Sequence, residues 1–232
     1  MIIRFVRALV LVTSLCDMPD LLVQSQIVSL LLETGIPPDI EDAKGNPPIN
    51  VAAANGHVEI VSLLLSMKSS VNVTNKTGNT PLFQAAEFGH LDCCKLLLEA
   101  KTNTRLTNSR QHTPLMRASA NGHEDVVRHL IAARCNVRCK SKHGIMTPLV
   151  WAARKGYLGI VQLLIEAKAD VENRSENGTF LPTWIGLEAF NEAAKRGHTL
   201  VVKTIARSRE KRIAARELKL QKIKEGADSF GF

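Results

Sequence analysis

Apolar residues recur along the chain in short runs whose spacing is nearly constant. The runs lie at residues 63–65, 96–98, 130–131 and 163–165. A Gly-His or Gly-Tyr pair precedes each run, and a fifth pair follows the last one. The pairs lie at 56–57, 89–90, 122–123, 156–157 and 197–198, so their successive spacings are 33, 33, 34 and 41 residues. A period of this length is typical of arrays of small helical units that stack on one another.

Each unit predicts two short helices. In "NTPLFQAAEFGHLDCCKLLLEA", Thr80 can cap the first helix, and Pro81 takes the first helical position, where its missing N–H costs nothing. Gly89 supplies the left-handed stop before the second helix. Neither helix is long enough to be stable alone, so stacking on neighbouring units must supply the buried surface.

The segments "TGNTPLFQAAEFGHLDCCKLLLEA" and "GIMTPLVWAARKGYLGIVQLLIEAKADV" resemble ankyrin repeats. The resemblance implies an all-α solenoid of paired antiparallel helices with short β-hairpin or loop tips. The array shares weaker similarity with ankyrin/KH proteins of the Mask type, but no KH-type GxxG loop is present. The predicted boundaries are an apolar helix and incomplete repeat (1–41), five repeats (42–74, 75–107, 108–140, 141–173 and 174–207) and a basic helix with its tail (208–232).

Three departures from the family pattern predict an array less stable than an idealised one. Asn50, Phe83, Met116 and Val150 replace the family's His after Thr-Pro-Leu, so we expect a polar contact between adjacent loops to be missing. Pro47 stands where Thr80 caps the next repeat. Gln111 replaces the turn glycine.

No catalytic motif is found. The sequence contains no phosphate-binding glycine loop after a strand, no Gly-x-Ser-x-Gly elbow and no HExxH, and the periodic histidines indicate repeat architecture. Cys135 and Cys139 have no His or Cys pair at zinc spacing nearby. We therefore predict a non-enzymatic protein with no catalytic residue, cofactor or metal.

The resemblance implies a protein-binding groove lined by the tips and the first-helix ends. The predicted contact residues are Lys76, Phe88, Arg110, His112, Lys142, Ile145, Met146, Arg154, Lys155, Lys195 and Arg196. The last two repeats place basic pairs at one structural position, which predicts an acidic partner segment. Solvated surface charges are the alternative interpretation. Asn72 matches a position that is hydroxylated in some ankyrin proteins, so it is a candidate modification site.

The spacing of 41 residues indicates an insertion of eight residues near 180–187, in "FLPTWIGL". Removing these residues restores the repeat pattern. Trp184 is therefore a candidate anchor for the partner, and a tolerated loop without a role is the alternative.

The charge of +8 is concentrated at the C-terminus, where residues 203–232 hold nine Lys/Arg and four Asp/Glu. This basic helix is interpreted as an end cap, as a targeting segment for RNA or chromatin machinery, or as an amphipathic binding segment. A fragment of a larger signalling protein is a further interpretation.

The five cysteines favour a reducing compartment, cytoplasmic or nuclear. The signal-like start "MIIRFVRALVLV" is the argument for secretion, and its apolar run is too short to span a bilayer.

Overall fold

The computed structural model describes residues 41–42, 45–142, 146–171 and 188–228, with side chains to residue 221. Contacts within the chain define two compact units, Met1–Pro148 and Leu149–Phe232. The N-terminal helix and incomplete repeat predicted for residues 1–41 lie almost entirely outside the described residues. The predicted repeat boundaries remain predictions.

Helices make up most of the described part of both units, and all of them are short except the last. Those of the first unit are α1 (Pro48–Asn55), α2 (Val58–Ser66), α3 (Pro81–Phe88), α4 (Leu91–Glu99), α5 (Pro114–Asn121) and α6 (Glu124–Ala132). Helix α7 (Pro148–Lys155) begins on the last residue of the first unit. It is followed by α8 (Leu158–Glu166), α9 (Glu188–Lys195) and α10 (Thr199–Asp228).

Local sequence explains where the first helices begin and end. Thr80 and Thr113 accept hydrogen bonds from the N–H groups of Phe83 and Met116 at 3.1 and 3.3 Å. Pro47 makes no such side-chain cap for α1, as predicted. Proline occupies the first or second position of each of these three helices. A glycine with positive φ follows each of them.

Small residues let the first helices approach one another closely. In the first unit, α1 packs on α3 and α3 on α5, whereas α2 packs on α4 and α4 on α6. The alanines of the first-helix interfaces, Ala52, Ala53, Ala85 and Ala86, are fully buried. The aliphatic core of the second helices includes Ile60, Leu64, Leu97 and Leu130. Burial of these residues stabilises helices that are too short to persist alone. The fold is an all-α helical-repeat solenoid, as predicted.

Turns form the repeat tips, and no strand occurs among the described residues. The side-chain oxygens of Asn75 and Asn108 each accept backbone N–H groups two and four residues further on, at 3.0 Å. Asn75 donates to Asn46 and Asn108 to Asn79, both at 3.1 Å. Each tip is thereby tied to the preceding one. Gln111, at the position of the missing turn glycine, has a positive φ of 57°.

The expected loss of the polar contact after Thr-Pro-Leu is wrong for the first repeat. Asn50 is fully buried, and its amide donates to the carbonyl oxygen of Asn79 in the next tip at 2.7 Å. A short amide on α1 can therefore make a contact between loops. Phe83 and Met116, by contrast, place buried apolar groups at the same position.

The C-terminal helix α10 is continuous through residue 207, where a boundary was predicted. Val201 and Ile205 are buried, and Arg212 donates to the carbonyl oxygen of Ala169 at 2.9 Å. From Ile213 to Gln221 every side chain is exposed, including Leu218 and Leu220. The helix thus has a proximal part that packs within the second unit and a solvated distal part. No described helix is long and apolar enough to cross a membrane.

Replacing Lys101 by glycine is expected to stabilise the protein by about 0.5–1 kcal/mol. Lys101 follows α4 with φ 59°, a left-handed conformation that strains an L side chain. Its N–H still bonds to the carbonyl of Leu98 at 3.0 Å, so glycine preserves the helix end. Chemical denaturation measures the change. The control is Ala100→Gly, because Ala100 has φ −72° and glycine there should destabilise. A loss of stability in Lys101→Gly would contradict the prediction.

Candidate functional site

A histidine of each following repeat holds the end of the preceding first helix. His90 Nε2 lies 2.9 Å from the carbonyl oxygen of Ala54, and His123 Nε2 lies 3.0 Å from that of Glu87. Because a carbonyl oxygen can only accept a hydrogen bond, Nε2 is the donor in both contacts. The His90 ring also lies over Gly56, and the His123 ring over Gly89. The predicted architectural role of these histidines is confirmed by this geometry.

The second unit uses the same arrangement to position its basic residues. His198 donates from Nε2 to the carbonyl oxygen of Arg154 at 3.2 Å. Its ring covers Gly156, where an added Cβ would lie 2.6 Å from Nδ1. The two partners are 44 residues apart, whereas the equivalent partners of the first unit are 36 apart. The difference is eight residues, the length of the predicted insertion, which itself lies outside the described residues.

Four cations lie at the ends of α7 and α9, and three of them are within 3.7 Å of one carboxylate. We call Arg154, Lys155, Lys195 and Arg196 the basic cluster. Glu192 lies 3.5 Å from Arg154 Nε, 3.6 Å from Arg196 Nε and 3.7 Å from Lys195 Nζ. Lys155 is exposed at the last position of α7. Counted together, these four cations and Glu192 carry an excess of three positive charges.

Trp151 extends the basic cluster on α7. The guanidinium carbon of Arg154 lies 5.7 Å from the centroid of the Trp151 ring, a cation–π distance. The two residues are three positions apart on one helix, so they face the same side. The indole face and the carbonyl contact with His198 together restrict where Arg154 can place its charge.

The first unit carries a similar ion pair with its polarity reversed. Arg117 donates to Glu87 from both Nε and Nη2. Glu87 stands two residues before its glycine, as Arg154 does, and Arg117 stands five residues before its glycine, as Glu192 does. One structural pair therefore joins adjacent repeats in both units, with the acid and the base exchanged.

The predicted contact residues of the first unit have diverse surroundings. Phe88 ends α3 and is 54% exposed, the environment expected for an apolar anchor. Lys76 packs its alkyl chain over Gly45, and Lys142 is exposed in a turn. Met146 is half-buried and its carbonyl accepts from Ser141 at 2.9 Å.

His112 lies among polar tip groups. Burial lowers the pKa of His112, and the nearby charges of Arg117 and Arg110 lower it further, against the opposing effect of Glu87. Its imidazole is therefore neutral at pH 7 and contributes hydrogen-bonding capacity rather than charge. Arg110 is exposed, and its N–H donates to Asn108 Oδ1 at 3.0 Å.

Two predicted contact residues, Ile145 and Trp184, lie outside the described residues. Asn72 is exposed, and its side-chain oxygen accepts from Thr102 Oγ1 and from the N–H of Asn103, both at 2.9 Å. These bonds join two repeats. Hydroxylation of Asn72 stays a prediction.

The described thiols have surroundings that keep them protonated. Burial raises the pKa of Cys93 to about 11 and that of Cys94 to about 12. Cys139 also has a pKa raised to about 11 by burial, although Thr113 lies 3.2 Å from its sulfur. Nucleophilic and metal-binding cysteines act as thiolates. The described residues contain no group of three or more His, Cys, Asp or Glu side chains placed to hold a metal ion.

The raised thiol pKa values predict a loss of stability in alkali. The unfolded chain loses the thiol protons near the ordinary cysteine pKa of 9.0, whereas folded Cys93 and Cys94 keep theirs to about 11 and 12. Their contribution is fully present below pH 9 and is lost as the pH rises toward the folded values. Between pH 8 and pH 10 we expect a loss of about 2 kcal/mol from the pair.

Urea titrations at several pH values measure this dependence. The control is the variant Cys93→Ala/Cys94→Ala, whose free energy of unfolding should fall less steeply over the same pH range. Parallel slopes for the two proteins would contradict the assignment of the effect to these thiols.

Glu192 was missed by the sequence analysis, although the repeat alignment contained the information. Once the eight extra residues are removed, Glu192 aligns with Arg117 and Arg154 aligns with Glu87. Both pairs of aligned positions carry opposite charges, Glu87 with Arg117 and Arg154 with Glu192. This pattern would have predicted the ion pairs. Glu192 lies five residues before Gly197, outside the two positions directly before each glycine from which the basic pairs were predicted.

The comparisons with known proteins agree with this repeat geometry. A family model described as ankyrin repeats (3 copies) matches residues 21–108 and 100–175. The search of curated proteins gives no match. The two matched segments span more than half of the 232 residues, and repeats of this family generally mediate protein–protein interaction. With its recurring helix pairs and histidine contacts, the chain belongs to the ankyrin-repeat family.

Proposed function

We propose that this chain is a non-enzymatic scaffold or adaptor, whose basic cluster binds an acidic segment of a partner protein. The observation that carries the proposal is the concentration of four cations at the ends of two first helices, where three of them lie within 3.7 Å of Glu192. Charges concentrated on one patch attract and orient an oppositely charged partner. The reducing compartment that suits this role is cytoplasmic or nuclear.

The arrangement of the basic cluster supports binding better than a role in stability. Lys195, Arg196 and Arg154 remain substantially exposed, at 73, 44 and 40% of their side-chain surface. Exposed ion pairs contribute little to folding. The three cations that contact Glu192 also repel one another, so their surplus charge opposes folding and a bound anion would offset it.

An apolar anchor is the second part of the proposal. Exposed Phe88 in the first unit and Trp184 in the predicted insertion are the candidates. Aromatic anchors supply a large share of the binding energy in protein interfaces, whereas charges govern orientation and association rate. Phe88→Ala is the variant that tests this anchor, because the side chain is exposed and its removal leaves the core intact.

The test is the affinity of the full chain for a defined acidic peptide rich in Asp and Glu, measured at several salt concentrations. We expect the affinity to fall steadily as salt rises, because ions screen contacts between exposed charges. A matched peptide with Asn and Gln in place of the acids should bind much more weakly. Equal binding of both peptides, or affinity that is insensitive to salt, would contradict the proposal.

A second candidate function rests on the distal part of α10, where side chains are exposed from Ile213 to Gln221. An exposed basic helix suits a subunit that brings RNA or chromatin machinery to a target. If this helix carries the main activity, RNA should be retained by the full chain in low salt. Neutralising Lys219, Lys222 and Lys224 to Gln should then reduce retention more than neutralising Arg154, Lys195 and Arg196. The opposite order would favour the basic cluster.

A further inference from the structure

We propose that the basic cluster selects a phosphate monoester on the partner, such as a phosphoserine, over a run of carboxylates. The inference rests on the proposed function and specifies the chemistry of its ligand. Three observations support it. Three cations converge on one point, their contacts with Glu192 are long, and Glu192 is less exposed than the cations.

The positive charge of the basic cluster is concentrated rather than spread. Atoms of Arg154, Lys195 and Arg196 all lie within 3.7 Å of the Glu192 carboxylate. An extended acidic segment places its carboxylates several ångströms apart, because successive side chains of an extended chain point in opposite directions. A row of spaced cations would suit that segment better. Convergence on one point suits a single compact group of high charge.

Glu192 leaves the hydrogen-bonding capacity of these cations largely unused. Its three contacts, at 3.5, 3.6 and 3.7 Å, are all longer than the 2.7–2.9 Å range of charge-assisted hydrogen bonds. A phosphate monoester carries about −1.5 to −2 charges at pH 7 and three strong acceptor oxygens. It can therefore form short bonds to several of these donors at once, which a single carboxylate does less well.

Glu192 lies deeper than the cations that surround it. Its side chain is 24% exposed, against 40–73% for its three partners. An incoming anion therefore meets the outer side of the cations while Glu192 remains near their inner side. Glu192 acts as an internal competitor, because its charge neutralises part of the cluster and repels any other anion. The basic cluster and Glu192 together keep an excess of three positive charges. This excess attracts a ligand group with two negative charges more strongly than a group with one.

The test compares three peptides of the same Gly/Ala/Ser background by fluorescence anisotropy with the full chain. One carries a central phosphoserine, one carries two adjacent glutamates of the same total charge, and one carries an unmodified serine. We expect the phosphoserine peptide to bind about tenfold or more tightly than the glutamate peptide, and the serine peptide to bind far more weakly than both.

Two variants connect the result to this cluster. Glu192→Gln should bind the phosphoserine peptide about threefold or more tightly, because it removes the competing charge while keeping the size of the side chain. Lys203→Gln changes an exposed cation outside the cluster on α10 and should leave the affinity unchanged. A merely structural role for Glu192 would instead weaken binding in Glu192→Gln, and that result would overturn the inference.

The remaining outcomes separate this inference from the proposed function. Equal affinity for the phosphoserine and glutamate peptides would overturn phosphate selectivity and leave an acidic-segment site in place. Failure of both peptides to bind would overturn both proposals. Binding to vesicles that contain phosphorylated inositol lipids, without binding to the phosphoserine peptide, would overturn the inference in favour of a membrane ligand.

Discussion

Reversing the charge of the basic cluster should reduce the affinity for an acidic peptide by about 100-fold or more at low salt. The variant carries glutamate at positions 154, 155, 195 and 196 in place of Arg154, Lys155, Lys195 and Arg196. Together with Glu192, the site would then hold five carboxylates where it now has an excess of three positive charges. Attraction of the peptide becomes repulsion, so the loss of affinity should exceed the loss caused by neutral substitutions at the same positions.

The control for this experiment changes the same amount of charge elsewhere. Lys203, Lys211, Arg216 and Lys219 lie on α10 and are outside the ion pairs with Glu192 described above. Their reversal to glutamate gives the same net charge and should cost much less affinity. Circular dichroism should show the same helicity for both variants. If the control lost as much affinity as the cluster variant, the attraction would come from net charge and not from a site.

Replacing Gly156 by alanine should destabilise the second unit by about 2–3 kcal/mol. Gly156 has φ 81°, which strains any L side chain, and an added Cβ would lie 2.6 Å from Nδ1 of His198. The ring must move, and its hydrogen bond to the Arg154 carbonyl is then weakened or lost. The loss of this contact should also loosen Arg154 and weaken binding to the acidic peptide.

Gly197 offers a matched control for Gly156. Its φ is 75°, but a Cβ at that position would meet nothing within 4 Å. Gly197→Ala should therefore cost only the backbone strain, about 1 kcal/mol. The difference between the two variants in a denaturation experiment isolates the contribution of the His198 ring. Equal destabilisation would mean that backbone strain explains both and that the histidine contact contributes little.

The repeat architecture could be predicted because its information is local and periodic. Thr80 before Pro81 and Gly89 before His90 mark helix ends by rules that act within a few residues. The period of 33 residues then placed these ends in register along the chain. Helices α1, α3, α5 and α7 begin on the prolines that this pattern predicts, and the fold class followed from it.

Contacts between repeats were harder to predict because they depend on side-chain reach. The side-chain amide of Asn50 donates to a carbonyl oxygen 29 residues away. From the sequence alone, this position shows only that the family's histidine is missing. Glu192 reaches back to Arg154 across the predicted insertion, so its role becomes visible only after the eight extra residues are removed. The packing of the distal half of α10 was equally hard to predict, because the same basic helix can pack on the repeats or remain solvated.

The most direct test of the central claim is a heteronuclear NMR titration of the full chain with the acidic peptide. Its readouts are the side-chain Nε–H resonances of Arg154 and Arg196 and the backbone resonances at the ends of α7 and α9. A site built as described predicts that the largest shifts fall on Arg154, Lys195 and Arg196 and disappear in the charge-reversed variant. Shifts confined to the first unit, or to α10 beyond Ile213, would contradict it.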